Sequence, residues 1–348
     1  MRITGEEPMS KRRVLYIPIR SHTDRVFRPE MFEQFRERFE VTINEGDENY
    51  STEQVAEHIG GFDALVTGWG SPPLSAEVFE RADRLKMVAH SAGSVKGLCP
   101  PEVVAQIILP RKICVFSGNH AIATNVAEST VGLLIMTSHH FAAHALAIRE
   151  RGEWLDPAIP KNGQFLNGST LGVVSASKVG REVIRLLEPF DLKLIVYDPY
   201  LSDEEAEQLN VEKVSLNELF ARSDLVTVHA PMIPETEKMI GAEQLKRMKD
   251  GATLVNTSRG KVIDHDALLR EARTGRILLA LDVTDPEPLP KDSPFRKLPN
   301  VIITPHISGA GYYGYFKIGE MTVQALEDFF AGKPVQGAVP FERYEQLA

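Results

Sequence analysis

Cysteine is scarce in this chain of 348 residues, which contains only Cys99 and Cys114. Two cysteines are too few for a disulfide framework or a cysteine-rich metal site, and such usage is typical of proteins in a reducing compartment. The amino-terminal stretch MRITGEEPMSKRR also lacks the apolar segment of a signal peptide. We therefore expect two buried thiols in a cytoplasmic protein, with residues 1–8 outside the fold.

Basic residues are outnumbered, because 39 Lys and Arg stand against 48 Asp and Glu and leave a formal charge of -9. A protein that binds nucleic acid by neutralising phosphates needs a basic patch, and no run of Lys and Arg suggests one. The longest stretch without Asp, Glu, Lys or Arg runs from 129 to 148 and contains three histidines. This composition favours a buried helix over a membrane span, so we expect neither a nucleic-acid partner nor a membrane anchor.

Short apolar runs rich in Val, Ile and Leu alternate with helical patterns along the chain. Such runs are typical of strands buried on both faces of a parallel sheet, with helices between them. The sequence therefore predicts an α/β protein with two domains, each built on a parallel sheet. The runs form two series, 14–18, 39–43, 64–67, 86–90 and 113–116, then 171–174, 193–197, 225–228, 253–256, 277–281 and 301–303.

Two long helical patterns set the expected domain organisation. One apolar helix is predicted from 125 to about 151, between the two series, and another from about 312 to 330, after the last strand. Because no strand follows the last helix, we expect it to pack on the first domain. That domain would be discontinuous, comprising 9–120 and 308–348, with 121–307 inserted as the second domain.

The second series opens with a strand that breaks into a turn of small residues and then a helix, as a site for a dinucleotide pyrophosphate requires. The usual GxGxxG pattern reads SxSxxG here, so Ser175 and Ser177 replace two glycines and only Gly180 remains. Asp198 ends the next strand, where an acid accepts hydrogen bonds from an adenosine ribose and repels a 2′-phosphate. The pattern favours NAD over NADP, and the two added Cβ atoms put the affinity for the cofactor in question.

Three polar segments follow buried strands at the sheet edge where open parallel sheets bind ligands. Hydride transfer between a nicotinamide and a 2-oxo or 2-hydroxy acid needs a cation for the carboxylate and an acid/base for the hydroxyl proton. Arg259 and His306 fit these tasks, and a Glu287 carboxylate beside the imidazole would favour its protonated form. Taken singly, Arg259 suits a surface salt bridge, Glu287 a solvated loop acid and His306 a capping histidine. Their joint placement at consecutive strand ends favours a catalytic site.

These segments resemble the D-isomer-specific 2-hydroxyacid dehydrogenases, a family that includes phosphoglycerate dehydrogenases and glyoxylate and hydroxypyruvate reductases. The resemblance covers about 13–340 and implies two flavodoxin- or Rossmann-like domains, a substrate domain and an inserted NAD-binding domain. It also implies a homodimer formed through the long helix. The motifs that carry it are NVAE at 125–128, VHAP at 228–231, MKDGATLVNTSRG at 248–260, LDVTDPEP at 281–288, TPHISGA at 304–310 and AGKP at 331–334.

The resemblance also implies residue roles. Arg259 would bind the substrate, His306 would donate the proton in reduction, and Glu287 would be its paired acid. Asp282 would contact the nicotinamide half of the cofactor. The other residues implied in the cofactor site are Ser175, Ser177, Lys178, Val179, Gly180, Asp198, His229, Pro231, Thr257 and Ser258.

A loop of small residues after the fourth strand resembles the loop with which this family binds the substrate carboxylate through backbone N–H groups. It reads HSAGSVKG at 90–97, and its candidate substrate-binding residues are Gly93, Ser94, Val95 and Lys96. We hypothesise that Lys96 reaches a second anionic group on the substrate; the alternative is a solvated lysine. His140 and His144 are spaced for zinc, but no carboxylate or cysteine stands nearby in sequence, so we expect no metal.

The sequence is interpreted as an NAD-dependent oxidoreductase that interconverts a 2-oxo acid and a D-2-hydroxy acid in a cleft between its domains. The main alternative is an NAD(H)-binding sensor or corepressor on the same fold, which the altered SxSxxG turn supports. An NADP-dependent glyoxylate or hydroxypyruvate reductase is a further alternative, disfavoured by Asp198. Formate dehydrogenases usually carry glutamine in place of the paired acid, so Glu287 argues against that branch.

Overall fold

A computed structural model describes residues 11–341 of the chain. Within this range the chain divides into two compact units: unit 1 combines residues 11–122 with 311–341, and unit 2 holds 123–310. The expectation for residues 1–8 and the ends of the predicted segments 9–120 and 308–348 lie outside the described residues. The prediction of two parallel α/β domains, the first interrupted by the second, is confirmed.

Unit 1 is built on a five-stranded parallel sheet with the strand order β2-β1-β3-β4-β5. The connections are short helices, as expected for parallel strands. The strands are β1 (Arg13–Tyr16), β2 (Glu40–Ile43), β3 (Ala64–Thr67), β4 (Met87–His90) and β5 (Cys114–Ser117). The helices are α1 (Arg20–Val26), α2 (Pro29–Arg38), α3 (Thr52–His58), α4 (Ala76–Arg81) and α5 (Pro101–Val103), which continues as a π-helical turn (Val104–Ile108).

The sheet of unit 1 is covered on both faces. Side chains alternate along each strand, so Leu15 joins one apolar cluster and Val14 joins the other. The last helix, α13 (Tyr312–Phe330), packs on the second cluster through Ile318 and Leu326, which are fully buried. This contact confirms that the carboxy-terminal helix returns to the first domain.

Unit 2 is built on a seven-stranded parallel sheet with the order β12-β11-β10-β9-β6-β7-β8. Crossover helices connect the strands. The strands are β6 (Thr170–Val174), β7 (Lys193–Tyr197), β8 (Glu212–Lys213), β9 (Leu225–Val228), β10 (Thr253–Asn256), β11 (Leu278–Leu281) and β12 (Val301–Ile303). The helices are α8 (Lys178–Leu187), α9 (Asp203–Gln208), α10 (Leu216–Arg222), α11 (Ala242–Arg247) and α12 (His265–Ala272).

The predicted single helix over 125–151 is wrong, because the structure has two helices, α6 (Asn119–Ser138) and α7 (Phe141–Arg151). The helix is interrupted at His140, whose backbone is left-handed with a φ of 57°, a conformation that a right-handed helix cannot include. The two helices are bent by 63° at this break. In the described part of the chain, no single helix is long and apolar enough to cross a membrane, and only this bent pair passes such a test jointly.

Candidate active site

The turn between β6 and α8 has the geometry of a phosphate-binding turn. Gly180 is required, because a Cβ there would lie 2.2 Å from the backbone oxygen of Ser175. The Ser177 hydroxyl caps α8 by accepting the N–H of Gly180 at 3.4 Å. The N–H groups of Lys178 and Val179 head the helix, where no preceding helical carbonyl can accept them. The turn therefore presents donors and a positive helix end to an anion.

Asp198 follows β7 beside this turn, and its carboxylate accepts three hydrogen bonds. Oδ2 accepts the Ser175 hydroxyl at 3.1 Å and the Ala176 N–H at 2.8 Å, while Oδ1 accepts the Tyr200 N–H at 2.8 Å. A carboxylate has about four acceptor positions, so one position on Oδ1 remains for a ribose hydroxyl. The turn, the helix end and this acceptor together fit an adenine dinucleotide.

Arg259 follows β10 in a segment that is fixed by Asn256. The Asn256 side chain donates to the Arg259 carbonyl at 3.0 Å and accepts the Ser258 N–H at 3.0 Å. The Arg259 guanidinium donates to the Ser258 carbonyl at 2.7 Å. Partial burial lowers the pKa of this guanidinium, and the negative charge of Glu287 opposes that shift without reversing it.

The segment after Arg259 packs directly on the segment that leads to Glu287. A Cβ at Gly260 would lie 2.0 Å from the Thr284 carbonyl oxygen, a distance that no side chain can occupy. Only glycine permits this approach between the two backbones. The contact holds the backbone that follows Arg259 against the backbone that precedes Glu287.

His306 follows β12 and pairs with Glu287. Its Nδ1 lies 2.6 Å from Glu287 Oε1, and its backbone N–H donates to the Asp282 carbonyl at 2.8 Å. The imidazole and the carboxylate are each a little under half exposed. Because Nδ1 faces the carboxylate, Nε2 is the ring atom that can exchange a proton with a ligand.

The carboxylate of Asp282 lies beneath the segment that carries His306. It accepts the Thr304 hydroxyl at 2.5 Å, the Ile307 N–H at 2.9 Å and the Ser308 N–H at 2.9 Å. Burial raises the pKa of the Asp282 carboxyl, but these hydrogen bonds outweigh burial and leave it below its usual value. The anion therefore fixes a segment in which His306 itself has a left-handed φ of 55°.

Comparison with known proteins places the chain in a family. Residues 131–308 match the sequence profile described as D-isomer specific 2-hydroxyacid dehydrogenase, NAD binding domain. The chain belongs to the D-isomer specific 2-hydroxyacid dehydrogenase family. It is an NAD-linked oxidoreductase with a Rossmann-like fold, and the non-enzymatic sensor is not favoured.

Similar proteins act on several small acids. The chain is 34% identical to a glyoxylate reductase of Korarchaeum cryptofilum over 86% of this chain and 89% of that protein. It is 32% identical to a hydroxypyruvate reductase of Thermotoga maritima over 84% of this chain and 91% of that protein. A phosphoglycerate oxidoreductase from Rhizobium etli has a similar structure, with a TM-score of 0.81 and 25% identity, covering 96% of this chain and 99% of that one.

The remaining predicted cofactor residues of unit 2 lie at the carboxyl ends of β9 and β10. The Thr257 hydroxyl contacts the Thr130 hydroxyl of α6 at 2.9 Å. His229 is buried, accepts the Ser177 hydroxyl on its backbone oxygen at 2.9 Å, and has a pKa lowered by burial to about 3. Pro231 accepts the Thr236 hydroxyl at 2.6 Å through its carbonyl. These contacts fix the dehydrogenase's turn and its neighbouring strand ends.

The predicted substrate loop belongs to unit 1 and follows β4. The Ser117 hydroxyl donates to the Gly93 carbonyl at 2.5 Å, and Val95 is buried. The backbone N–H of Lys96 donates to the Ser94 hydroxyl at 3.3 Å. The loop is therefore held by its own unit in one conformation.

Sequence reasoning missed the groups that support the proposed catalytic side chains. Thr304 and the backbone N–H groups after His306 bind Asp282, and His265 binds the segment before Glu287. Backbone donors leave no trace in a sequence, so only Thr304 and His265 offered a signal. Among residues 11–341, no cluster of three or more His, Cys, Asp or Glu could hold a metal ion.

Proposed function

We propose that this dehydrogenase interconverts a 2-oxo acid and a D-2-hydroxy acid through Arg259, Glu287 and His306. The hydrogen bond of 2.6 Å between His306 Nδ1 and Glu287 Oε1 carries the proposal. An acid/base histidine needs an orienting partner that fixes its ring and stabilises its charged form, and a carboxylate at this distance does both. The Arg259 guanidinium, which feels the charge of Glu287, supplies the cation that a carboxylate substrate requires.

In the direction of reduction, Arg259 binds the substrate carboxylate and turns the C2 carbonyl toward His306. Bound NADH supplies the hydride to C2. Protonated His306 gives its Nε2 proton to the carbonyl oxygen, and Glu287 stabilises the imidazolium before that transfer. In oxidation, neutral His306 removes the hydroxyl proton at the same atom.

The cofactor residues are proposed from the donors and acceptors of the turn. The backbone N–H groups of Lys178 and Val179 bind the pyrophosphate, Asp198 accepts the ribose hydroxyl, and the other residues line the adjoining strand ends. The preference for NAD over NADP follows because the Asp198 carboxylate would repel a 2′-phosphate. The full set is Ser175, Ser177, Lys178, Val179, Gly180, Asp198, His229, Pro231, Thr257, Ser258 and Asp282.

The substrate carboxylate is proposed to bind backbone N–H groups of Gly93, Ser94 and Val95, with Lys96 directed to a second anionic group of the substrate. Lys96→Ala is expected to raise KM for 2-oxoglutarate and oxaloacetate more than KM for pyruvate. Equal changes in all three KM values would refute the role of Lys96.

The test of the proposed function is NADH oxidation by the purified protein with glyoxylate, hydroxypyruvate, pyruvate, 2-oxoglutarate and oxaloacetate. His306→Ala and Glu287→Gln are expected to lower kcat by about 10²-fold or more, the contribution typical of a general acid. His58→Ala is the control, because His58 is exposed on α3 in unit 1. NADH binding measured by fluorescence without turnover on any acid would instead support a sensor.

We also propose that the enzyme is a homodimer that buries α7 and the segment after it. Apolar side chains there are exposed, with Trp154 at 80% and Phe165 at 61%, beside Phe141, Leu146 and Leu155. An exposed apolar surface of this kind is typical of a protein interface. Sedimentation should give a dimer, and Phe141→Glu should give a monomer; a monomeric wild type would refute the proposal.

A further inference from the structure

His265 is the first residue of α12, and both of its ring nitrogens bind backbone. Nδ1 lies 3.1 Å from the Ile263 carbonyl oxygen, and Nε2 accepts the N–H of Asp285 at 3.1 Å. A carbonyl can only accept and an N–H can only donate. His265 therefore carries its proton on Nδ1 and presents a lone pair on Nε2, and both bonds are satisfied by this neutral form.

The bond from Asp285 fixes the start of the segment that bears Glu287. The same segment is held from within, because the Thr284 hydroxyl donates to the Pro286 carbonyl at 2.9 Å. It is held from outside by the close approach of Gly260 to Thr284. The His265 side chain thus binds the segment two residues before Glu287, from a different element.

We propose that His265 is a positioning residue for this dehydrogenase, which holds the segment 284–287 so that the Glu287 carboxylate meets the imidazole of His306. This inference rests on the proposed roles of Glu287 and His306. A misplacement of about 1 Å in such a pair is enough to lower the rate of proton transfer substantially.

The surroundings of His265 favour the neutral form that the geometry requires. Burial lowers its pKa, the Ile263 carbonyl and the carboxylates of Asp285, Asp264 and Asp266 raise it, and the net direction is downward. Its position at the amino-terminal end of α12 also disfavours a positive charge. The Phe295 ring, with its centroid 5.9 Å away, adds an apolar neighbour. Protonation of Nε2 would set one donor against another and release Asp285.

Two amide substitutions separate the two contacts of His265. In His265→Gln the amide oxygen reaches about as far as Nε2, so it can accept the Asp285 N–H, and it does not titrate. In His265→Asn the shorter amide reaches about as far as Nδ1, so it can retain the Ile263 contact but not the Asp285 contact. We expect His265→Asn to lower reductive kcat about tenfold with little change in KM for NADH, and His265→Gln to restore most of kcat.

The pH dependence of kcat/KM separates a positioning role of His265 from a purely structural one. As pH falls, protonation of His265 should release the segment, so the acid limb of kcat/KM should move to lower pH in His265→Gln. NADH affinity by fluorescence and thermal melting of both variants establish that each is folded. Equal kcat for His265→Asn and wild type, or an unmoved acid limb in His265→Gln, would overturn the inference.

The same experiment distinguishes this inference from the proposed function. If His306→Ala and Glu287→Gln are inactive while His265→Asn has wild-type kcat, only the positioning role is refuted. If His306→Ala and Glu287→Gln retain activity, the proposed function itself is refuted.

Discussion

Substitutions of Ser175 separate two opposing effects that the native side chain combines. Its backbone has a φ of 77°, a left-handed conformation that costs a residue with a Cβ about 1–2 kcal/mol. Its hydroxyl donates to the charged Asp198 carboxylate at 3.1 Å. Hydrogen bonds to charged groups contribute about 1.5–3 kcal/mol, and partial exposure favours the lower end of that range. The serine therefore offsets its own backbone strain.

The two smallest substitutions at this position should differ in their effect on stability. Ser175→Ala retains the strained Cβ and loses the hydrogen bond, so the free energy of unfolding should fall by about 1–2 kcal/mol. Ser175→Gly also loses the bond, but it relieves the backbone strain. Glycine has more conformational freedom in the unfolded chain, which favours unfolding by about 1 kcal/mol and partly cancels that relief. Ser175→Gly should therefore remain within about 1 kcal/mol of wild type.

Urea unfolding followed by circular dichroism measures this order, and NADH fluorescence gives the dissociation constant of each variant. Asp198 keeps its bonds to the N–H groups of Ala176 and Tyr200, so both variants should still prefer NADH to NADPH. Wild-type stability in Ser175→Ala would refute the stabilising role of the hydroxyl. Markedly tighter NADH binding by Ser175→Gly would show that the native Cβ hinders the cofactor.

Three further predictions concern packing and acid stability. Gly260→Ala should lose activity and about 1–3 kcal/mol of stability, because its Cβ would meet the Thr284 oxygen; a fully active, equally stable variant would contradict this. The pKa of the Asp282 carboxyl is lowered in the folded protein, so this carboxylate stabilises the fold above its unfolded-state pKa near 4 and loses that effect as pH falls further. Asp282→Asn should therefore lower the free energy of unfolding by about 2 kcal/mol at pH 7, and its melting curves should converge with those of wild type in acid. Burial lowers the pKa of His22 to about 3 and of His90 to about 4, so stability should fall as pH drops below about 6.5, and His90→Gln should flatten that fall.

Most of the fold could be predicted from the sequence because buried parallel strands read as apolar runs. The exceptions have physical causes. β8 (Glu212–Lys213) is a two-residue exposed edge strand, and its charged residues give no apolar signal. The break between α6 and α7 depends on the left-handed backbone of His140 in an otherwise helical apolar pattern, and no proline or glycine marks it.

The candidate site was predictable only as far as motifs fix side-chain types at strand ends. The pairing of His306 with Glu287 was expected, and the structure brings their side chains together at 2.6 Å. The environment of Asp282 was not foreseen, because a carboxylate in a motif does not reveal that backbone N–H groups surround it. The hydrogen bond from Ser175 to Asp198 was likewise missed, since a serine in place of glycine is read from sequence as a lost glycine.

Asp282 and His265, which hold the two segments of the proposed acid/base pair, differ in charge but respond to pH in the same direction. Asp282 holds the His306 segment as an anion, whereas His265 holds the Glu287 segment as a neutral acceptor. Each side chain loses an acceptor for its hydrogen bonds when it gains a proton, yet the proposed reduction requires a proton on His306. Reduction therefore needs one protonated imidazole between two unprotonated supports. The pKa values of Asp282 and His265 are both lowered, and each shift favours the unprotonated form in which the side chain holds its segment.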